Sequence, residues 1–377
     1  MLLSVSSVMA TIGSVILAIL ILLAMITVHE FGHYVAGKAL KFKINEFAIG
    51  FGPKIYKRVS KKSGEAFSIR LLPLGGFCAF EGEDEEGASE NSFTKKKPWQ
   101  RIIVLIAGPL FNYITALILI IISMFAFGQP VFKVGGIAPP DESVTATEYA
   151  EYVENSLAED DCILKVNGKS IYLVTDIMTA LNGKSRGDMV DFRVARGGKQ
   201  QNITVKLRAD CNFKSTSEAN KVLGVIGIGT VERGDGLYYD IAATNYRFGF
   251  FTTIGHSFSY SWRTAGTIFK VLGELLTGKL SISSMGGPVT TIKLTSELAS
   301  KSVQSFFEIA AYIGVNLAVF NLLPIPALDG SKVIFCIIEW IFKKPVPRKI
   351  EAVIHAVGFV LILGFAVLVD ILQFVRC

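Results

Sequence analysis

The chain has 377 residues, of which 51% are hydrophobic and only 19% charged, with a mean hydropathy of +0.47. That balance excludes an ordinary soluble protein and fits an integral membrane protein carrying one modest soluble domain. The net charge of +6 comes with no basic stripe interleaved with aromatics, so no nucleic-acid partner is expected, and five cysteines without C-x-x-C spacing argue against a thiolate zinc site or a disulfide framework.

The first predicted element is a membrane-spanning helix over residues 8–37. Residues 8–28 are uncharged, about the length a bilayer requires. No basic segment precedes the run, so it reads as a retained span and not a cleaved signal peptide. It leads into His29-Glu30-Phe31-Gly32-His33. On a helix, H-E-x-x-H puts two imidazoles one turn apart on one face, where they can share a Zn²⁺, with the glutamate beside them as general base. The bland alternative is a pair of core or helix-end histidines. A glutamate and two histidines at the edge of an apolar span are costly unless paired, metallated or functional.

Residues 42–81 alternate apolar and polar in short runs broken by Gly50, Gly52-Pro53, Ser63-Gly64 and Gly75-Gly76, which predicts two successive hairpins. They form either a small surface sheet or a sheet dipping into the membrane. A second span is expected over 102–127, with Gly108-Pro109 and Asn112 in its first half. A soluble domain covers 131–210, flanked by Cys162 and Cys211 as a candidate pair. The stretch 211–300 reads as a linker followed by an aromatic-rich amphipathic helix on the membrane surface, with His256 as an interfacial residue. A third span, 305–328, ends in Asn321-Leu-Leu-Pro324-Ile-Pro326-Ala-Leu-Asp329-Gly330, and its two prolines predict an unwound end. The fourth span is 352–370, with His355 near its start as a structural or interfacial residue.

Thirteen Lys/Arg lie from Lys38 to Arg101, and a second cluster (Lys343, Lys344, Arg348, Lys349) lies between spans three and four. Both loops therefore read as cytoplasmic, which places residues 133–300 outside. His29, His33 and Asp329 then fall at one depth. A catalytic zinc takes three protein ligands, and Asp329 is the best third candidate, against the plainer reading of an Asp-Gly turn.

HEFGH, the GFGP of Gly50–Pro53, LPLGGF at 72–77, AGPLFN at 107–112 and NLLPIPALDG at 321–330 together resemble the site-2 protease family of intramembrane zinc metalloproteases, in its bacterial PDZ-containing branch. The resemblance covers nearly the whole chain. It implies an α-helical polytopic membrane protein of about four transmembrane helices, a membrane-re-entrant β-loop over 42–81 and one inserted PDZ-like α+β domain. It further implies Zn²⁺ on His29, His33 and Asp329, with Glu30 as base. Asn321 and Pro324 of the motif, and Phe67, Ile69 and Leu71 of the loop, would contact an extended substrate. The expected substrates are transmembrane proteins, such as anti-sigma factors or signal-peptide remnants, cut in regulated intramembrane proteolysis. The cell membrane is the expected location, with the active site near the cytoplasmic face and the PDZ-like domain outside.

ILKVNGKSI at 163–171 looks like PDZ, whereas NSLAEDD stands where a run of small residues is usual, so peptide contact through this domain stays open. Two other readings compete. An ion-coupled transporter would use broken helices and buried Asn/Asp, but there is no internal repeat and the His-Glu pair would be idle. A non-catalytic membrane-anchored PDZ scaffold leaves intact His29, Glu30 and His33 unexplained.

Overall fold

The structure is a computed structural model that describes residues 5–83, 89–142, 144–233, 236–281 and 286–376. It divides into two compact units, Met1–Ser123 with Ser257–Phe269 and Ile282–Cys377, and Met124–His256 with Lys270–Ser281.

The first unit is built on long apolar helices. Helix α1 (Val5–Ala39) carries no charge before His29 and stops where Lys41 takes a left-handed φ of 59°. Helix α2 (Pro98–Phe127) keeps Pro109 in its interior. Among the described residues, four helices are long and apolar enough to cross a membrane: Thr11–Ala39 within α1, Pro98–Phe127, Val303–Leu322 and Arg348–Gln373.

Between α1 and α2 lie β1 (Ile44–Val59) and β2 (Ala66–Phe80), each long enough to fold back on itself. Gly50 and Gly52, at φ of 85° and 84°, let β1 reverse. The register then pairs Ala48 with Phe77 on one side and with Ser68 on the other, while Lys57 also meets Ser68. Four segments result, in the order 76–80, 44–49, 66–69, 54–59. Phe67 and Ile69 thus lie on an inner strand of this sheet. The backbone of Phe67 and Ile69 is paired on both flanks, and the outer strands are 76–80, largely buried with its Cys78 amide given to Glu30, and 54–59, which is exposed. Phe67, Ile69 and Leu71 instead project together from one face with their side chains exposed. Phe42, Ile44, Phe47 and Phe80 pack this sheet against Val104 and Leu105 of α2.

The remaining helices of this unit are α7 (Pro288–Ala299), α8 (Val303–Leu322), α9 (Asp329–Phe342) and α10 (Arg348–Arg376). The span expected over 305–328 ends early, at Leu322, and Asp329 opens a new helix instead of closing the old one. The physical reason lies in the connector. Pro324 and Pro326 offer no amide to a helix, and Ala327 sits at φ 76°, where the chain cannot continue helically. Asp370 accepts hydrogen bonds from Val289 N (3.0 Å) and Thr290 N (3.3 Å) and so caps α7 from α10.

The second unit centres on a sheet of β3 (Gln129–Val134), β4 (Cys162–Val166), β5 (Lys169–Ser170), β6 (Met189–Arg196), β7 (Lys199–Lys206) and β10 (Ile241–Tyr246). Their order is β10-β3-β4-β6-β7, with β5 beside β4. Strand β10 comes from the stretch read as linker and pairs antiparallel with β3 along its whole length. Helices α3 (Ala146–Glu154), α4 (Val174–Leu181) and α5 (Lys221–Val225) complete the unit, together with a separate β8–β9 hairpin (Thr230–Arg233, Gly236–Tyr239). Ile163, Ile177, Leu181, Phe192 and Leu207 form its core. Cys162 and Cys211 are both free thiols, so the candidate pair does not form. Helix α6 (Phe250–Leu276) ends in Glu274, a buried carboxylate that accepts from Thr216 N, Thr216 Oγ1 and Ser215 Oγ.

Candidate metal centre

Helix α1 carries His29 and His33 one turn apart, and both side chains are buried. Their Nε2 atoms lie 3.2 Å from each other. Asp329 Oδ2 lies 3.0 Å from His29 Nε2 and 3.3 Å from His33 Nε2. Two residues make this closeness possible. A Cβ on Gly32 would stand 2.4 Å from the Ala107 carbonyl oxygen, and one on Gly108 would stand 2.4 Å from His33 Nε2. With hydrogen at both positions, α2 lies directly against the imidazole pair. The tight seat of α9 depends on Gly330, whose Cβ would fall 2.2 Å from the Leu323 carbonyl oxygen.

The His33 ring is oriented from behind, since its Nδ1–H donates to the Val104 carbonyl at 2.8 Å. That bond leaves Nε2 with a lone pair facing the centre. Glu30 adjoins the histidines in sequence. Its Oε2 accepts the Cys78 amide of β2 at 3.0 Å. The general-base candidate is thus tied to the inner edge of the sheet.

The donor set fits zinc. Three atoms with lone pairs converge, and Asp329 Oδ2 is buried with no hydrogen-bond donor. Bonds of about 2.0–2.1 Å in a tetrahedron put neighbouring ligand atoms about 3.3–3.4 Å apart, and the observed 3.0–3.3 Å lies close to that. Two nitrogens and one oxygen also leave a fourth position, as catalytic zinc requires.

The other site residues expected from sequence are not part of this triad. Asn321 is half-buried on the last turn of α8, and Pro324 is exposed in the connector. His256 lies in the second unit, where its Nδ1 meets Gln129 Oε1 at 2.6 Å and its ring meets Tyr172 and Phe248. The sequence does not show that Gly108 meets the histidines or that Cys78 meets Glu30. AGPLFN and LPLGGFC contain both, but nothing in a glycine or a backbone amide announces its partner.

Comparison with known proteins agrees with this chemistry. The family model described as Peptidase family M50 matches residues 17–365. A Clostridium perfringens protein provisionally named a zinc metalloprotease is 31% identical over 359 residues, covering 95% of this chain and 97% of its own. A Fusobacterium nucleatum protein named in the same way is 30% identical, covering 94% and 97%. The zinc metalloprotease RasP of Bacillus licheniformis is 28% identical, covering 92% and 95%.

Proposed function

The chain belongs to peptidase family M50 and is a membrane zinc metalloprotease, and from that premise we propose that it hydrolyses peptide bonds within the membrane-spanning segments of other proteins. The observation that carries this reading is the convergence of Asp329, at the start of the short helix α9, on His29 and His33 of a helix of membrane-crossing character, next to a glutamate held on a sheet edge.

His29, His33 and Asp329 would hold the zinc, which when bound supplies Lewis acidity towards a carbonyl oxygen and makes a water more acidic. Glu30 takes a proton from the attacking water and delivers it to the leaving amine nitrogen. A peptide bond inside a helix is shielded by its own hydrogen bonds, so the substrate segment must unwind first. Phe67, Ile69 and Leu71 offer the unwound chain an apolar face. Asn321 and Pro324 contact the substrate from the α8–α9 side.

Loop charge supports a multi-pass arrangement with the zinc end cytoplasmic and the sheet domain of 131–246 outside, where a PDZ-like unit screens substrates by the size of their outer parts. Regulated intramembrane proteolysis of pre-trimmed single-span proteins is the process this serves. The test is reconstitution of the full chain with a single-span substrate and mass mapping of the products. A cut inside the span, abolished by a zinc chelator, is expected; cuts confined to soluble segments would overturn the reading.

A further inference from the structure

We propose that His355 is a positioning residue for the zinc ligand Asp329, acting through the amide of Ala327. The proposal rests on the reading of Asp329 as a ligand. The connector between α8 and α9 delivers that carboxylate, yet it contains two prolines and is held by short turns, Ile325 N to Leu323 O (2.8 Å) and Leu328 N to Ile325 O (3.1 Å). Ala327, two residues before Asp329, is left-handed at φ 76°. For a residue with a Cβ that conformation is strained, so something outside the connector must favour it.

The structure assigns that task to α10. The Ala327 N–H donates to His355 Nδ1 at 3.0 Å. One turn further along the same helix face, Gly358 admits Pro326, because a Cβ there would fall 2.2 Å from Pro326 Cβ. Together these contacts clasp both residues of the Pro326-Ala327 corner. Accepting at Nδ1 fixes the neutral tautomer with its proton on Nε2. That nitrogen has no hydrogen-bond partner and faces the Glu351 carboxylate at 3.8 Å, while the Phe335 ring packs edge-on. His355 therefore has one polar contact that matters, and it is with the peptide leading to the ligand.

The experiment measures zinc affinity by chelator competition on the detergent-solubilised full chain, with Co²⁺ absorption as a second readout of ligand geometry. Asparagine can place an acceptor near the position of Nδ1; glutamine reaches instead towards Nε2. H355N is expected to bind zinc within about threefold of wild type. H355Q and H355A are expected to weaken binding about 10–100-fold, the usual cost of losing a residue that orients a ligand, and to alter the Co²⁺ bands. Should H355A fail to fold, the H355N against H355Q comparison decides. Equal losses in both, or wild-type affinity in H355Q, would overturn the positioning role. D329A is run alongside. If it keeps zinc, the ligand reading fails; if it loses zinc while H355Q does not, only the role of His355 fails.

Discussion

Replacing Gly108 with alanine isolates what the α1–α2 approach does. In an ordinary helix Gly→Ala stabilises by about 0.5–1 kcal/mol, because alanine loses less backbone freedom on folding. At this position the added methyl would lie 2.4 Å from His33 Nε2, 2.5 Å from His33 Cε1 and 2.9 Å from His29 Cε1. Ordinary contact begins near 3.4 Å, so the histidines and α2 must part by about 1 Å. His33 is also held to α2 through the Val104 carbonyl, so it cannot retreat without losing that bond. A displacement of about 1 Å at a reacting centre costs roughly 100-fold in rate, and a similar loss of zinc affinity is expected. The control is Gly364→Ala on α10, where no atom lies within 4 Å of the new methyl. Chelator competition and substrate cleavage are measured for both. Zinc affinity and turnover unchanged in G108A would refute the reasoning, since helix propensity would then be all that matters at this site.

Glu30→Gln keeps size and the acceptor for the Cys78 amide, so zinc stays bound while turnover falls about 10²–10⁴-fold; full activity in this variant would remove Glu30 as base. Asp370→Ala removes the cap on α7, and a lower melting temperature with unchanged zinc affinity is expected by calorimetry and chelator titration. Glu274 is pushed up by burial, but the hydrogen bonds from Thr216 and Ser215 outweigh that and hold it below its ordinary value of 4.5. A carboxyl depressed in the folded state stabilises fully above its unfolded pKa and loses this as pH falls through its folded one. The melting-temperature gap between wild type and Glu274→Gln is therefore expected to be widest near neutral pH and to close in acid; a gap that does not change with pH would contradict it.

The converging histidine pair was legible because a helix turns by 3.6 residues, which alone brings His29 and His33 to one face. Asp329 was legible as an acid stranded at the end of an apolar run. Pro324 and Pro326 announced the break, but not that Asp329 opens a new helix, which follows a left-handed Ala327 that no composition signals. The strands of 42–81 announced themselves by alternation and glycines. Alternation fixes which face a side chain takes, though not which strand lies beside it, so the inner position of Phe67–Ile69 emerged only from the register. Strand β10 joins β3 from more than a hundred residues away, a long-range pairing that the local pattern does not encode. His355 read only as a structural or interfacial residue because its partner is a backbone amide.

Zinc K-edge X-ray absorption on the purified, zinc-loaded chain tests the central claim most directly. Two imidazole nitrogens and at least one oxygen at about 2.0–2.2 Å are expected, with no sulfur, and substitution of Asp329 by alanine should change that shell. A Zn–S distance of about 2.3 Å, which would point to Cys78, or a spectrum that Asp329→Ala leaves unaltered would contradict the assignment.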